Sequence, residues 1–101
     1  MIAVFVTFEY PEGFDRKRVL GVAEKAKGAF VGMPGLRSKA FTLDEENRRA
    51  TNVYLWESRE AARAFFTPQL AERVRGLYGV PARIEFAEVA ALVDNAAAPV
   101  A

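Results

Sequence analysis

Two side chains are missing from this chain altogether: it contains no cysteine and no histidine. Disulfides, zinc sites built on thiolate or imidazole, and Cys or His nucleophiles are therefore excluded. The usual proton shuttle near neutral pH is missing too. Acid–base work falls to carboxylates, lysine, tyrosine or a substrate. No apolar run approaches the roughly 20 residues of a membrane span. The first residues lack the basic segment and cleavage pattern of a secretory signal, so the cytoplasm is the expected compartment and no membrane partner is expected. Charge of one sign is lacking as well. Lys and Arg number 14 against 13 Asp and Glu, giving net charge +1 with the basic residues scattered. That balance gives no electrostatic case for nucleic acid.

What is present suits one folded domain. Of 101 residues, 51% are hydrophobic and 27% charged, a balance that argues against disorder. A single domain is expected over residues 1–95, with a mobile small-residue tail over residues 96–101. Ile2 to Tyr10 reads as a strand that is largely apolar on both faces, and so central in its sheet. A helix is expected from about Asp15, a plausible N-cap, to Phe30, with Val19, Leu20, Ala23, Ala26 and Phe30 as its apolar stripe. Leu36 to Asp44 reads as an edge strand carrying Arg37 and Lys39. Glu45-Glu46-Asn47 is a turn in which Asn47 is expected to take the left-handed conformation.

Ala50 to Glu57 is a second central strand. One face of it carries Asn52, Tyr54 and Trp56 in a row, because strand side chains alternate with period two. Ser58 caps a second helix, with Ala62, Phe65 or Phe66, Leu70, Val74 and Leu77 as its stripe. Pro68 should kink or split that helix after Phe66, with Thr67 capping the second piece. Gly79 and Pro81 end it. Arg83 to Val93 is expected as the last strand and the other edge.

The order is βαββαβ. Right-handed crossovers place both helices on one face of a four-stranded antiparallel sheet, giving an α+β, ferredoxin-like fold. The other face would carry Phe5, Val53 and Leu55, or the opposite set, to water. A symmetric homodimer with sheets packed face to face would cover that apolar area.

Several segments of this chain resemble a known family. They are Gly35-Leu36-Arg37-Ser38-Lys39, Val53-Tyr54-Leu55-Trp56-Glu57-Ser58 running into Glu60-Ala61-Ala62, and Tyr78-Gly79-Val80-Pro81. They are similar to the YdhR-like monooxygenases of the dimeric alpha-beta barrel superfamily. The resemblance implies a homodimer with a pocket between helices and sheet in each subunit. Antibiotic-biosynthesis monooxygenases of that superfamily oxidise aromatic quinols without metal or flavin. Their pockets use an Asn and a Trp on the third strand, a pattern that Asn52 and Trp56 match. Haem-degrading relatives add a His, which this chain does not have.

The resemblance thus implies a cofactor-independent monooxygenase acting on a small aromatic compound of quinol or phenol type, with no cofactor and no metal. Under that expectation Asn52 donates its amide hydrogens to a substrate oxygen and Tyr54 donates or shuttles a proton. Trp56, Phe65 and Phe66 stack on the substrate. Arg37 counters an oxyanion, if the hairpin register turns it that way. The plain alternative is that Trp56, Phe65, Phe66 and Tyr54 are core residues and that Asn52 is an internally bonded polar group. The functional alternative is a non-catalytic dimeric module that binds a small ligand. Lys17, Arg18, Lys25 and Arg73 read as solvated helix faces. An RNA-binding reading fails on the third strand, which lacks the Gly and aromatic spacing that stacking on bases requires.

Overall fold

The computed structural model describes residues 1–96. Strand β1 (Ile2–Glu9) leads into helix α1 (Arg16–Phe30), and the hairpin of β2 (Leu36–Asp44) and β3 (Arg49–Trp56) follows. Helices α2 (Arg59–Phe65) and α3 (Pro68–Tyr78) precede β4 (Ala82–Glu88). The four strands pair antiparallel in the order β2-β3-β1-β4. This is the ferredoxin-like α+β arrangement, with the two most apolar strands at its centre. Apart from Ala96, the tail expected over residues 96–101 lies outside the described residues.

Local signals fix the helix ends. Asp15 Oδ1 accepts the Arg18 N–H at 3.1 Å, Ser58 Oγ accepts Ala61 N–H at 3.1 Å, and Thr67 Oγ1 accepts Leu70 N–H at 3.2 Å. Each cap satisfies one of the donors a helix start leaves unpaired. Pro68 splits the second helical segment, since it sits at the first turn of α3 while α2 has ended at Phe65. Gly79 closes α3 at φ +82°, a conformation that favours glycine.

Register sorts the side chains. Ile2, Val4, Val6 and Phe8 of β1 and Ala50, Asn52, Tyr54 and Trp56 of β3 are all buried under the helices. The opposite face presents Ala3, Phe5 and Thr7 beside Leu55, Val53 and Thr51. Phe5 is 37% exposed there, and Val53 and Leu55 are half-buried.

Four expectations need correction. The left-handed turn residue is Arg48 at φ +52°, not Asn47. Asn47 instead donates its backbone and side-chain N–H groups to the Asp44 carboxylate at 3.2 and 2.8 Å, which holds it in the turn. Strand β4 ends at Glu88 rather than Val93: its register with β1 ends at the Ile2–Glu88 pair, and Val89 adds one further bond, from its N–H to the Met1 carbonyl at 3.1 Å. Leu20 is 43% exposed and off the stripe, which runs instead through Val19, Val22 and Phe30. Leu77 is 48% exposed, and Tyr78 takes the buried position one residue later.

Candidate active site

A cavity of about 640 Å³ opens between α1, α3 and the sheet. That is the size of a pocket for a small organic ligand. Its floor is the covered face of β3 and β2. Asn52 and Tyr54 project into it from β3, and Lys39 and Phe41 from β2. Cross-strand pairing sets these four side by side, with Lys39 opposite Tyr54 and Phe41 opposite Asn52. The α1 wall sets the small residues Gly21, Ala26 and Ala29 among the larger Val22 and Phe30. A Cβ at Gly21 would meet nothing within 4 Å. At these three positions the helix puts little side chain into the space.

Asn52 is 4% exposed, so its amide needs partners. Its Nδ2–H donates to the Tyr78 hydroxyl at 3.1 Å. The reverse bond, Tyr78 hydroxyl to Asn52 Oδ1, is long at 3.5 Å. The Tyr78 ring is itself fixed, stacking on Phe8 at 3.7 Å between centroids and 4° between planes. Burial raises the Tyr78 phenol above its ordinary pKa, and the Asn52 bond offsets part of that. Burial raises Tyr54 further, Tyr78 adds to it, and Asn52 again lowers it. Both phenols therefore stay protonated at neutral pH, and each keeps an O–H to donate.

Lys39 is the unusual member. Its Nζ lies 3.4 Å from the ring centroid of Phe30, 4.1 Å from Phe41 and 4.3 Å from Tyr54. Burial lowers its pKa to about 7. The three ring faces work the other way, since each attracts the charged form.

The residues singled out in the sequence part company here. Asn52, Tyr54 and Phe65 line the cavity. Trp56 does not: it is 1% exposed, packed between Phe65 and Phe66 at 5.3 and 6.0 Å. Its indole Nε1 is buried and meets no acceptor among the described residues. Phe66 sits on Trp56, Tyr54 and Phe86, away from the cavity. Phe65 touches both Trp56 and Phe30 and so partitions the sealed end from the open one. Arg37 falls at the register irregularity between Leu36 and Ser38 and is exposed, outside the cavity wall.

Two site residues were missed from sequence, Lys39 and Tyr78. Lys39 shares its face with Phe41 and Leu43 by strand alternation, and a Lys in an apolar row was the available signal. Tyr78 lies four residues after Val74, on the same helical stripe. Arg18, Lys25 and Arg73, expected on solvated faces, are exposed but also border the cavity.

The architecture and the position of this cavity define a ferredoxin-like protein with a pocket between sheet and helices, and solved structures of that kind are known. A monooxygenase from the gene ActVA-Orf6 of Streptomyces coelicolor, in complex with nanaomycin D, has TM-score 0.65 and 23% identity, covering 93% of this chain and 92% of its own. SnoaB, a cofactor-independent oxygenase from Streptomyces nogalater, has TM-score 0.66 and 12% identity, covering 91% and 95%. An antibiotic biosynthesis monooxygenase-like protein from Deinococcus radiodurans has TM-score 0.65 and 11% identity, covering 93% and 97%. The structural neighbours are thus antibiotic biosynthesis monooxygenase-like proteins. No family model and no curated protein matches the sequence. No helix among the described residues is long and apolar enough to cross a membrane.

Proposed function

We propose that this protein is a cofactor-independent monooxygenase of the YdhR-like kind, acting on a small phenol or quinol held in the 640 Å³ cavity. The observation that carries this reading is the buried Asn52 amide, bonded to Tyr78 and set beside Tyr54 on the floor of an aromatic-walled pocket. A ring bound on that floor meets Phe65 and Phe41 as stacking partners and Tyr54, Tyr78 and Asn52 as donors to its oxygen. A phenol that has lost its proton is electron-rich enough to reduce dioxygen itself. One oxygen atom becomes the new carbonyl of a quinone and the other leaves as water. The substrate supplies all four electrons and the two hydrogens of that water. The protein's share is orientation, exclusion of water, and donors aimed at the developing anion. Trp56 contributes from behind, through Phe65 and Phe66.

The test is oxygen uptake with a panel of naphthols and quinols under isotopically heavy dioxygen. Uptake should put one labelled oxygen into product without releasing peroxide. Asn52→Ala should slow it by about 10²-fold to 10³-fold, as removal of one preorganised donor does. Turnover unchanged in Asn52→Ala would remove Asn52 from the chemistry.

A second reading, a non-catalytic module that binds a small ligand, is favoured by one observation: the Asn52 amide already has an internal partner in Tyr78. Ligand binding without oxygen uptake by any member of the panel would select it.

Both readings include a homodimer. The uncovered sheet face supports it, with Phe5, Val53 and Leu55 forming an apolar centre. Pairing two such faces would bury on the order of 1,600 Å². Light scattering at micromolar concentration should give twice the chain mass, and Phe5→Glu should return the mass of one chain. A single-chain mass for the parent protein would end this part of the reading.

A further inference from the structure

Four basic side chains, Arg18, Lys25, Lys39 and Arg73, border the cavity, and no Asp or Glu among the described residues does. None of Lys25, Lys39 and Arg73 forms an ion pair with a described residue, and Arg18 donates to the Leu77 carbonyl at 3.2 Å rather than to an acid. Away from the cavity the balance runs the other way, with 10 Lys and Arg against 13 Asp and Glu, so this one-sided lining is a property of the cavity. Lys39 is its innermost member. It stands on the sheet floor with its ammonium on the faces of Phe30, Phe41 and Tyr54, and none of its N–H donors meets an acceptor among the described residues. Ring faces attract a cation but accept its hydrogens poorly. A half-buried ammonium that faces open space with its donors unused is built to receive an acceptor from outside.

We infer that the cavity selects an aromatic ligand that enters as an anion, and that Lys39 is the residue that seats the anionic group. The aromatic walls take the ring and Lys39 takes the carboxylate or phenolate, as a charge-assisted hydrogen bond. Arg18, Lys25 and Arg73 at the surface draw the anion towards the opening and do not specify its geometry. This rests on the cavity being the ligand site, as the proposed function requires, but not on any reaction occurring there.

Proton linkage gives the inference a signature. Lys39 is charged below about pH 7 and neutral above it. The other titratable groups around it are the Tyr54 and Tyr78 phenols, which stay protonated, and the basic groups of Arg18, Lys25 and Arg73. An anion should therefore bind more weakly as pH rises from 6 to 9, and its binding should take up a proton near the upper end.

Calorimetric titration of the intact chain with 2-naphthoate, 2-naphthamide and 4-nitrophenol tests this without turnover. At pH 6 the naphthoate should bind at least about tenfold more tightly than the isosteric amide, a coupling of ordinary size between two charged partners. The preference should shrink by pH 9. Lys39→Met should abolish it at both pH values, and Lys39→Arg should keep it and flatten its pH dependence. The 4-nitrophenol arm separates the sources of charge. Bound as the coloured phenolate at a pH where it is neutral in solution, it identifies phenolate as an accepted anion. Bound without colour while naphthoate is preferred, it leaves carboxylate. Equal binding of naphthoate and naphthamide, or a naphthoate preference untouched in Lys39→Met, overturns the inference. If Lys39→Met does not fold, the parent comparison and Lys39→Arg still decide. Oxygen uptake is measured separately, so loss of turnover and loss of anion preference are distinguishable results.

Discussion

Trp56 and Asn52 stand four residues apart on the same face of the same strand, yet they have opposite surroundings. At the Trp56 end the indole is 1% exposed beneath α2, with Phe65 and Phe66 against it. The chain even removes a side chain to close this end. Gly35 lies at φ +81°, where a Cβ would come within 2.8 Å of the Ala61 Cβ. At the Asn52 end the cover is α1 and α3, and α1 offers Gly21, Ala26 and Ala29 to the sheet. The strand supplies a row of three polar-tipped side chains, and the helices above decide which become core and which become wall. The residue type that attracts the eye, tryptophan, lies in the part that is packed.

The sharpest way to break this contrast is to empty the sealed end. Trp56→Ala should cost about 3–5 kcal/mol, as large-to-small changes at close-packed aromatic sites do. Domains of this size commonly have 5–15 kcal/mol in all. Urea unfolding should show the midpoint falling steeply. A loss below about 1 kcal/mol would mean that α2 does not seal this end. Trp56→Phe should recover most of the loss, because it refills the space and removes the buried indole N–H that has no acceptor.

The open end should respond on a smaller scale and with a different signature. Tyr78→Phe keeps the stacking on Phe8 but takes away the oxygen that accepts the Asn52 amide at 3.1 Å. That should cost about 1–3 kcal/mol, the usual penalty of an orphaned buried donor. Asn52→Leu removes the other partner. If the two side chains hold each other, the double variant should be less destabilised than the sum of the singles, by about 0.5–3 kcal/mol. Additive losses in denaturant titrations would show that water or other groups already serve Asn52, and that the pair is not a unit.

The same contrast explains how much could be read from the sequence. Strand and helix boundaries were legible wherever a local rule fixed them: Asp15, Ser58 and Thr67 as caps, Pro68 as the break, Gly79 as the stop. The central position of β1 and β3 was legible from two-faced apolar runs. The end of β4 was not, because a strand stops where its partner stops, and that is a tertiary fact. The row of Asn52, Tyr54 and Trp56 was legible from alternation, but not the boundary through Phe65 that divides it. Lys39 was passed over because a charged residue on an edge strand is normally solvated. Only the β2–β3 register shows it opposite Tyr54 and under Phe30. Tyr78 and Asn52 are 26 residues apart, and no sequence spacing announces such a bond.

Lys39 gives the two ends their last and smallest difference, because the ring contacts of Trp56 are to Tyr54, Phe65 and Phe66 and include no charged side chain, whereas the open end holds Lys39. Burial lowers the folded-state pKa of Lys39 to about 7 from an ordinary 10.5. Below about pH 7 the amine is charged in both states and the desolvation penalty is present in full. Between 7 and 10.5 the unfolded chain holds the proton more tightly than the folded one, so stability should rise with pH across that window. The partial exposure of Lys39 and its ring contacts, which favour the charged form, keep the rise modest. Above pH 10 the sign reverses. Tyr10, Tyr54 and Tyr78 all have raised pKa values, so the unfolded phenols ionise first and stability falls. Urea midpoints taken from pH 6 to 11 should therefore climb and then drop. Lys39→Met should flatten the climb and leave the drop, because it removes the buried ammonium and none of the phenols. A climb that survives in Lys39→Met would locate the titrating group elsewhere and take from the open end the charge that sets it apart from the sealed one.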